Sequence, residues 1–74
     1  MKNILREFRE WLEKKNTKSA NRILKAIDRD IMSLYLTDNG ILICEEMSCS
    51  IPDYVTDEVE RFARKKGYSM RWYI

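Results

Sequence analysis

Residues 31–46 read "IMSLYLTDNGILICEE", and whether they hold the tail of a helix or a hairpin decides the fold. Just upstream, Ala20, Ile23, Leu24, Ile27 and Ile31 recur at helical spacing. Leu34 and Tyr35 would continue that stripe and carry one long helix to residue 36. Against this, "IMSLYLT" is rich in strand-favouring residues, and Asp38-Asn39-Gly40 ahead of "ILIC" is a strong hairpin signal. Asn39 and Gly40 suit the positive φ angles that tight hairpin turns need. The pattern therefore predicts a helix that stops near residue 30 and a hairpin pairing 32–37 with 41–47. Ile41-Leu42-Ile43-Cys44 is apolar throughout. That suits a strand buried on both faces, central in its sheet or covered by a partner.

On the N-terminal side, Ile4, Leu5, Phe8, Trp11 and Leu12 mark one face of a first helix. Arg6–Glu10, Arg9–Glu13 and Glu10–Lys14 are spaced for ion pairs on its wet face. "KKNTKS" breaks the pattern, and Asn16, Thr17 or Ser19 can cap the second helix. On the C-terminal side, "IPDYVTDEVERFARKKG" has every mark of a helix. Pro52 suits its entrance, acids fill the early turns, Arg64, Lys65 and Lys66 the last, and Gly67 can close it. Val55, Val59, Phe62 and Ala63 supply its buried stripe. The closing "GYSMRWYI" alternates: Tyr68, Met70, Trp72 and Ile74 on one face, Ser69, Arg71 and Tyr73 on the other. A chain this short needs Trp72 for its core, so Arg71 and Tyr73 remain as candidate contacts on the other face of the sheet.

These pieces predict a single α+β domain spanning residues 1–74, ordered α-α-β-β-α-β. Helices would pack on one face of a three-stranded, mostly antiparallel sheet. The composition is globular, 45% hydrophobic and 35% charged with two glycines and one proline. No apolar run approaches the roughly 18 residues of a membrane span. The charged N-terminus resembles neither a signal nor a transit peptide, so the expected location is the cytoplasm.

The stretch "NGILI…IPDYVTDEVERFARKKGYSMRWYI", residues 39–74, resembles small, functionally uncharacterised proteins of bacteriophages and prophages. The likeness lies in a pattern of strand, Pro-initiated helix, Gly-Tyr turn and closing strand. It implies a small accessory protein in a phage or bacterial setting, and it assigns no functional residue.

Several chemistries are disfavoured by what the chain lacks. It has no histidine and only two cysteines, Cys44 and Cys49, so a four-ligand structural zinc site is out of reach. Both cysteines read as free thiols, with a local disulfide as the lesser alternative. Glu45 and Glu46 are adjacent on a strand and point to opposite faces, which is no acid–base pair. Asp28 with Asp30, or Asp53 with Asp57, lack any metal-loop spacing. The expectation is a protein with no catalytic residue, metal or cofactor.

Charge is segregated along the chain. Residues 31–60 carry seven acids (Asp38, Glu45, Glu46, Asp53, Asp57, Glu58 and Glu60) and no base, between two basic flanks. In the second helix Lys18, Arg22, Lys25 and Arg29 fall on one line opposite the apolar stripe. That line reads either as a polyanion contact or as a solvated face that meets the acidic middle. The residues point first to a small accessory protein that binds another protein or itself as a homodimer. The alternative is weak, sequence-nonspecific binding of nucleic acid through the basic line.

Overall fold

A computed structural model describes residues 2–29, 31–47 and 51–73. Among these, seven elements follow in order: β1 (Lys2–Asn3), α1 (Leu5–Lys15), α2 (Lys18–Ile27), β2 (Met32–Leu36), β3 (Ile41–Glu46), α3 (Asp53–Lys66) and β4 (Ser69–Tyr73). The α+β class holds. Helix α2 ends at Ile27, so the hairpin signal prevails over the helical continuation. Leu34 lies fully buried on β2, while Tyr35 projects to the opposite face. In the turn, Gly40 N–H donates to Thr37 O at 3.0 Å and Thr37 N–H donates to Ile41 O at 3.0 Å. Gly40 takes φ 79°, but Asn39 does not share the left-handed region. One glycine bends the chain where two such residues were expected.

The sheet corrects the expected architecture in two ways. It has four strands, in the order β1-β2-β3-β4. The additional strand, β1, pairs antiparallel through Lys2 with Leu36 and Asn3 with Tyr35. Two residues are too few to show a periodicity, so this strand leaves no signature in the sequence. Ile4 N–H then donates to Leu34 O at 3.1 Å, and Asn3 Oδ1 accepts from Leu5 N–H at 3.0 Å, so strand passes straight into helix. The second correction is direction: β2 and β3 are antiparallel, but β3 and β4 are parallel. Helix α3 carries the chain back along the sheet, so β4 starts from the same end as β3.

Local signals otherwise place the helix ends. Thr17 is the residue that caps α2, its Oγ1 accepting from Ala20 N–H at 3.0 Å. Asn16 instead closes α1 in the left-handed conformation, φ 47°. Gly67 does the same for α3 at φ 81°, and Tyr68 N–H donates to Ala63 O at 2.8 Å.

One face of the sheet meets the helices. Met32, Leu34, Leu42 and Cys44 from the strands join Phe8, Leu12, Ile23, Val55, Val59 and Phe62 in a single buried cluster. Phe62 is its centre, with ring centroids 5.3 Å from Phe8, 5.7 Å from Trp11 and 6.3 Å from Tyr68. Strand β3 is central, as the apolar run suggested, but it is not buried on both faces. Leu42 and Cys44 are buried, whereas Ile41 and Ile43 are half-exposed on the face turned away from the helices.

Glu58 is the one buried charge among the described residues. Its carboxylate meets Lys15 Nζ at 2.6 Å and Arg61 Nη1 at 3.0 Å, pinning α3 to the end of α1. Burial alone would raise its pKa. The hydrogen bonds and charges of Lys15 and Arg61 outweigh that, and the group titrates below its ordinary value. On the wet side, Arg6 and Glu10 approach at 3.9 Å as expected, but Arg9 reaches Asp28 at 2.6 Å rather than Glu13.

Candidate functional site

Strand β4 ends the sheet, so among the described residues its outer edge has no partner. Ser69 N–H donates to Gly40 O at 3.1 Å. By alternation the backbone groups of Ser69, Arg71 and Tyr73 turn toward β3, and those of Met70 and Trp72 turn outward. These are free donors and acceptors on an exposed edge.

Helix α3 runs alongside. Asp53, Thr56, Glu60, Ala63 and Arg64 fall within an arc of about 100° on its flank nearest β4. Between that flank and the strand lies a groove in two connected halves. One, about 480 Å³, sits where α3 begins and is lined by Glu46, Ile51, Asp53, Thr56, Glu60, Trp72 and Tyr73. The other, about 510 Å³, continues past Ala63, Arg64, Tyr68 and Met70, and both include Glu60 and Trp72. Glu46, Asp53 and Glu60 pair with no base among the described residues. The groove is thus apolar and aromatic along its floor, acidic where α3 begins, with Arg64 beside Glu60 in its other half.

The basic line lies on the far side of α3. Lys18, Arg22, Lys25 and Arg29 are all exposed, and none pairs with a carboxylate among the described residues. The acidic middle of the chain therefore does not neutralise them, Glu58 being the acid from 31–60 that does find bases. Arg22 places its guanidinium 4.2 Å from the centroid of the Tyr54 ring. With Lys25, Ala26, Arg29 and Tyr54 it borders a notch of about 240 Å³. The fold gathers three of the four cations there and leaves Lys18 outside.

Arg71 and Tyr73 are exposed on the sheet face turned away from the helices, Tyr73 at 48%. Register aligns Asn3, Tyr35, Ile43 and Arg71 across the four strands, and sets Tyr73 beside Glu45. Tyr35 and Ile43 were not singled out from the sequence as contacts, nor were Glu46 and Glu60. The spacing of Asp53, Thr56 and Glu60 was readable. Its position beside β4 was not, because that depends on the parallel pairing.

Cys44 is buried, and desolvation pushes its thiol up to about 12, so it carries no thiolate near neutral pH. Cys49 and Asp30 lie outside the described residues, as does Ile74. Among the described residues no cluster of acids or cysteines could hold a metal ion. No helix among them is long and apolar enough to cross a membrane. No protein-family model, curated protein or solved structure matches the chain.

Proposed function

We propose that this chain is a non-enzymatic interaction protein that takes an extended segment of a partner protein, or of a second copy, along β4. The observation that carries this reading is an unpaired strand edge flanked over its whole length by a groove. Strand addition uses both features at once: main-chain hydrogen bonds to the edge give affinity, and alternate side chains entering the groove give selectivity. Thr56, the one hydroxyl of the acidic half besides Tyr73, is held by Asp53 O at 2.9 Å and faces no base. A reducing, cytoplasmic setting goes with this reading, since Cys44 is a buried free thiol.

Met70→Pro tests the proposal. The Met70 N–H points outward, so proline removes no bond of the existing ladder, and an edge strand tolerates it there. Extended peptides selected by display on the wild-type protein should bind Met70→Pro at least about ten-fold more weakly, as expected for losing bonds worth roughly 1.4 kcal/mol in all. Circular dichroism should show the variant folded. Failure to select any binder, together with a monomer at all concentrations in sedimentation equilibrium, would sink the reading. So would binders that ignore the proline.

A second reading rests on the cationic notch. Three bases that pair with no acid among the described residues converge beside Tyr54 and suit phosphates of nucleic acid. Fluorescence anisotropy against labelled duplex DNA, single-stranded DNA and RNA would decide it. On this reading, duplex binding weakens with salt at a log-log slope of about −0.9 per phosphate neutralised, and Arg22→Glu, Lys25→Glu and Arg29→Glu together abolish it. Absence of binding at low salt retires it.

A further inference from the structure

We infer that the segment taken up along β4 is positively charged, with Lys or Arg at alternate positions beside Trp72. This rests on the strand-addition reading and names the chemistry of its occupant. Three carboxylates, Glu46, Asp53 and Glu60, stand over the half of the groove floored by Trp72, and no base among the described residues answers them. An added strand laid against Met70 and Trp72 brings every second side chain to that flank of α3. Same-face side chains on a strand recur about every 7 Å, and Asp53 and Glu60 are separated by about 10 Å along the helix axis. Two successive cations therefore fall within reach of two carboxylates, the length of lysine or arginine absorbing the difference. The ring of Trp72 adds a surface that attracts cations. An acidic segment meets the opposite situation, burying like charge against like.

A second copy of this chain fits the same edge less well. Any two-fold antiparallel register within Ser69–Tyr73 centres near Met70, Arg71 or Trp72, and Glu60 lines the groove beside Met70 and Trp72. The two Glu60 carboxylates would meet near the axis. With the axis at Arg71, the two guanidinium groups would also stand opposite one another, a destabilising pair. The geometry therefore favours a heterologous basic segment over self-pairing.

The test uses two capped heptapeptides, one alternating Lys and Thr, the other alternating Glu and Thr. Binding is followed by backbone amide shifts of Met70, Trp72 and Glu60 in the intact protein at low and near-physiological salt. The Lys-Thr peptide should bind at least ten-fold more tightly than the Glu-Thr peptide and weaken as salt rises. Asp53→Lys with Glu60→Lys should reverse the preference. Met70→Pro should remove binding of both. Equal binding of the two peptides, blocked by Met70→Pro, overturns the charge inference and leaves strand addition standing. Binding of the Lys-Thr peptide that survives Met70→Pro overturns strand addition, leaving mere attraction to the acids. Binding of neither peptide overturns both, and concentration-dependent self-association that protects the Met70 and Trp72 amides assigns the edge to a second copy.

Discussion

Phe62→Ala should cost about 3–5 kcal/mol of stability at 25 °C, the greatest single loss expected for this protein. Phe62 is completely buried and packs on Phe8 of α1, Trp11 of α1 and Tyr68 just before β4. It joins α1, α3 and the residue that leads into β4. Truncating a buried phenylalanine costs about 3–5 kcal/mol, part from lost transfer energy and part from the cavity left behind. A domain of 74 residues commands only about 4–11 kcal/mol in total at the usual stability per residue. The variant should therefore lose at least about a quarter of its stability, read as a fall in the urea midpoint by circular dichroism. Tyr73→Ala, on the open sheet face, is the control and should shift stability by no more than about 0.5 kcal/mol. A Phe62→Ala loss under about 1 kcal/mol would mean that the aromatic cluster does not form as described.

The second large effect is expected at Glu58 and depends on pH. Its carboxylate is 5% exposed and bound by Lys15 and Arg61, whose own side chains are 35% and 64% exposed. Removing the acid frees two bases that can turn to water, so the cost stays below that of orphaning a fully buried charge. Glu58→Ala should cost about 2 kcal/mol at pH 7, in the range for hydrogen bonds to charged groups. The pKa in the folded chain is lowered from 4.5. A group with a lowered folded pKa stabilises the fold above its unfolded pKa, and that contribution is lost as pH falls through the folded value. The gap between wild type and Glu58→Ala should thus be full at pH 7 and shrink on acidification below about 4.5. Urea titrations of both proteins at pH 7 and pH 3 measure it. A gap that stays constant across that range would assign the role of Glu58 to packing of its methylenes, with no contribution from charge.

Much of this fold was legible residue by residue. The stripe from Ile4 to Leu12, the acid-to-base gradient and Gly67 of α3, and the alternation of Tyr68, Met70 and Trp72 all survive in the structure. So does the basic line of α2, whose exposure follows from lying opposite an apolar stripe. These are local properties, set by 3.6-residue and 2-residue periods and by caps within a few positions.

The candidate groove was not legible, although every residue lining it was in view. Its carboxylates come from the end of β3 and one flank of α3, and its aromatics from β4. They converge because β4 pairs parallel to β3 at the margin of the sheet. Local pattern was enough for three helices, a hairpin turning at Gly40, a closing strand with its apolar and exposed faces, and the lack of any histidine chemistry. The strand at residues 2–3, the direction of β4 and the edge that goes without a partner among the described residues came from packing alone. The reason is physical: periodicity and capping act within one turn or one pleat, whereas the choice of strand neighbour is made by burial against the whole core, between residues far apart in the chain.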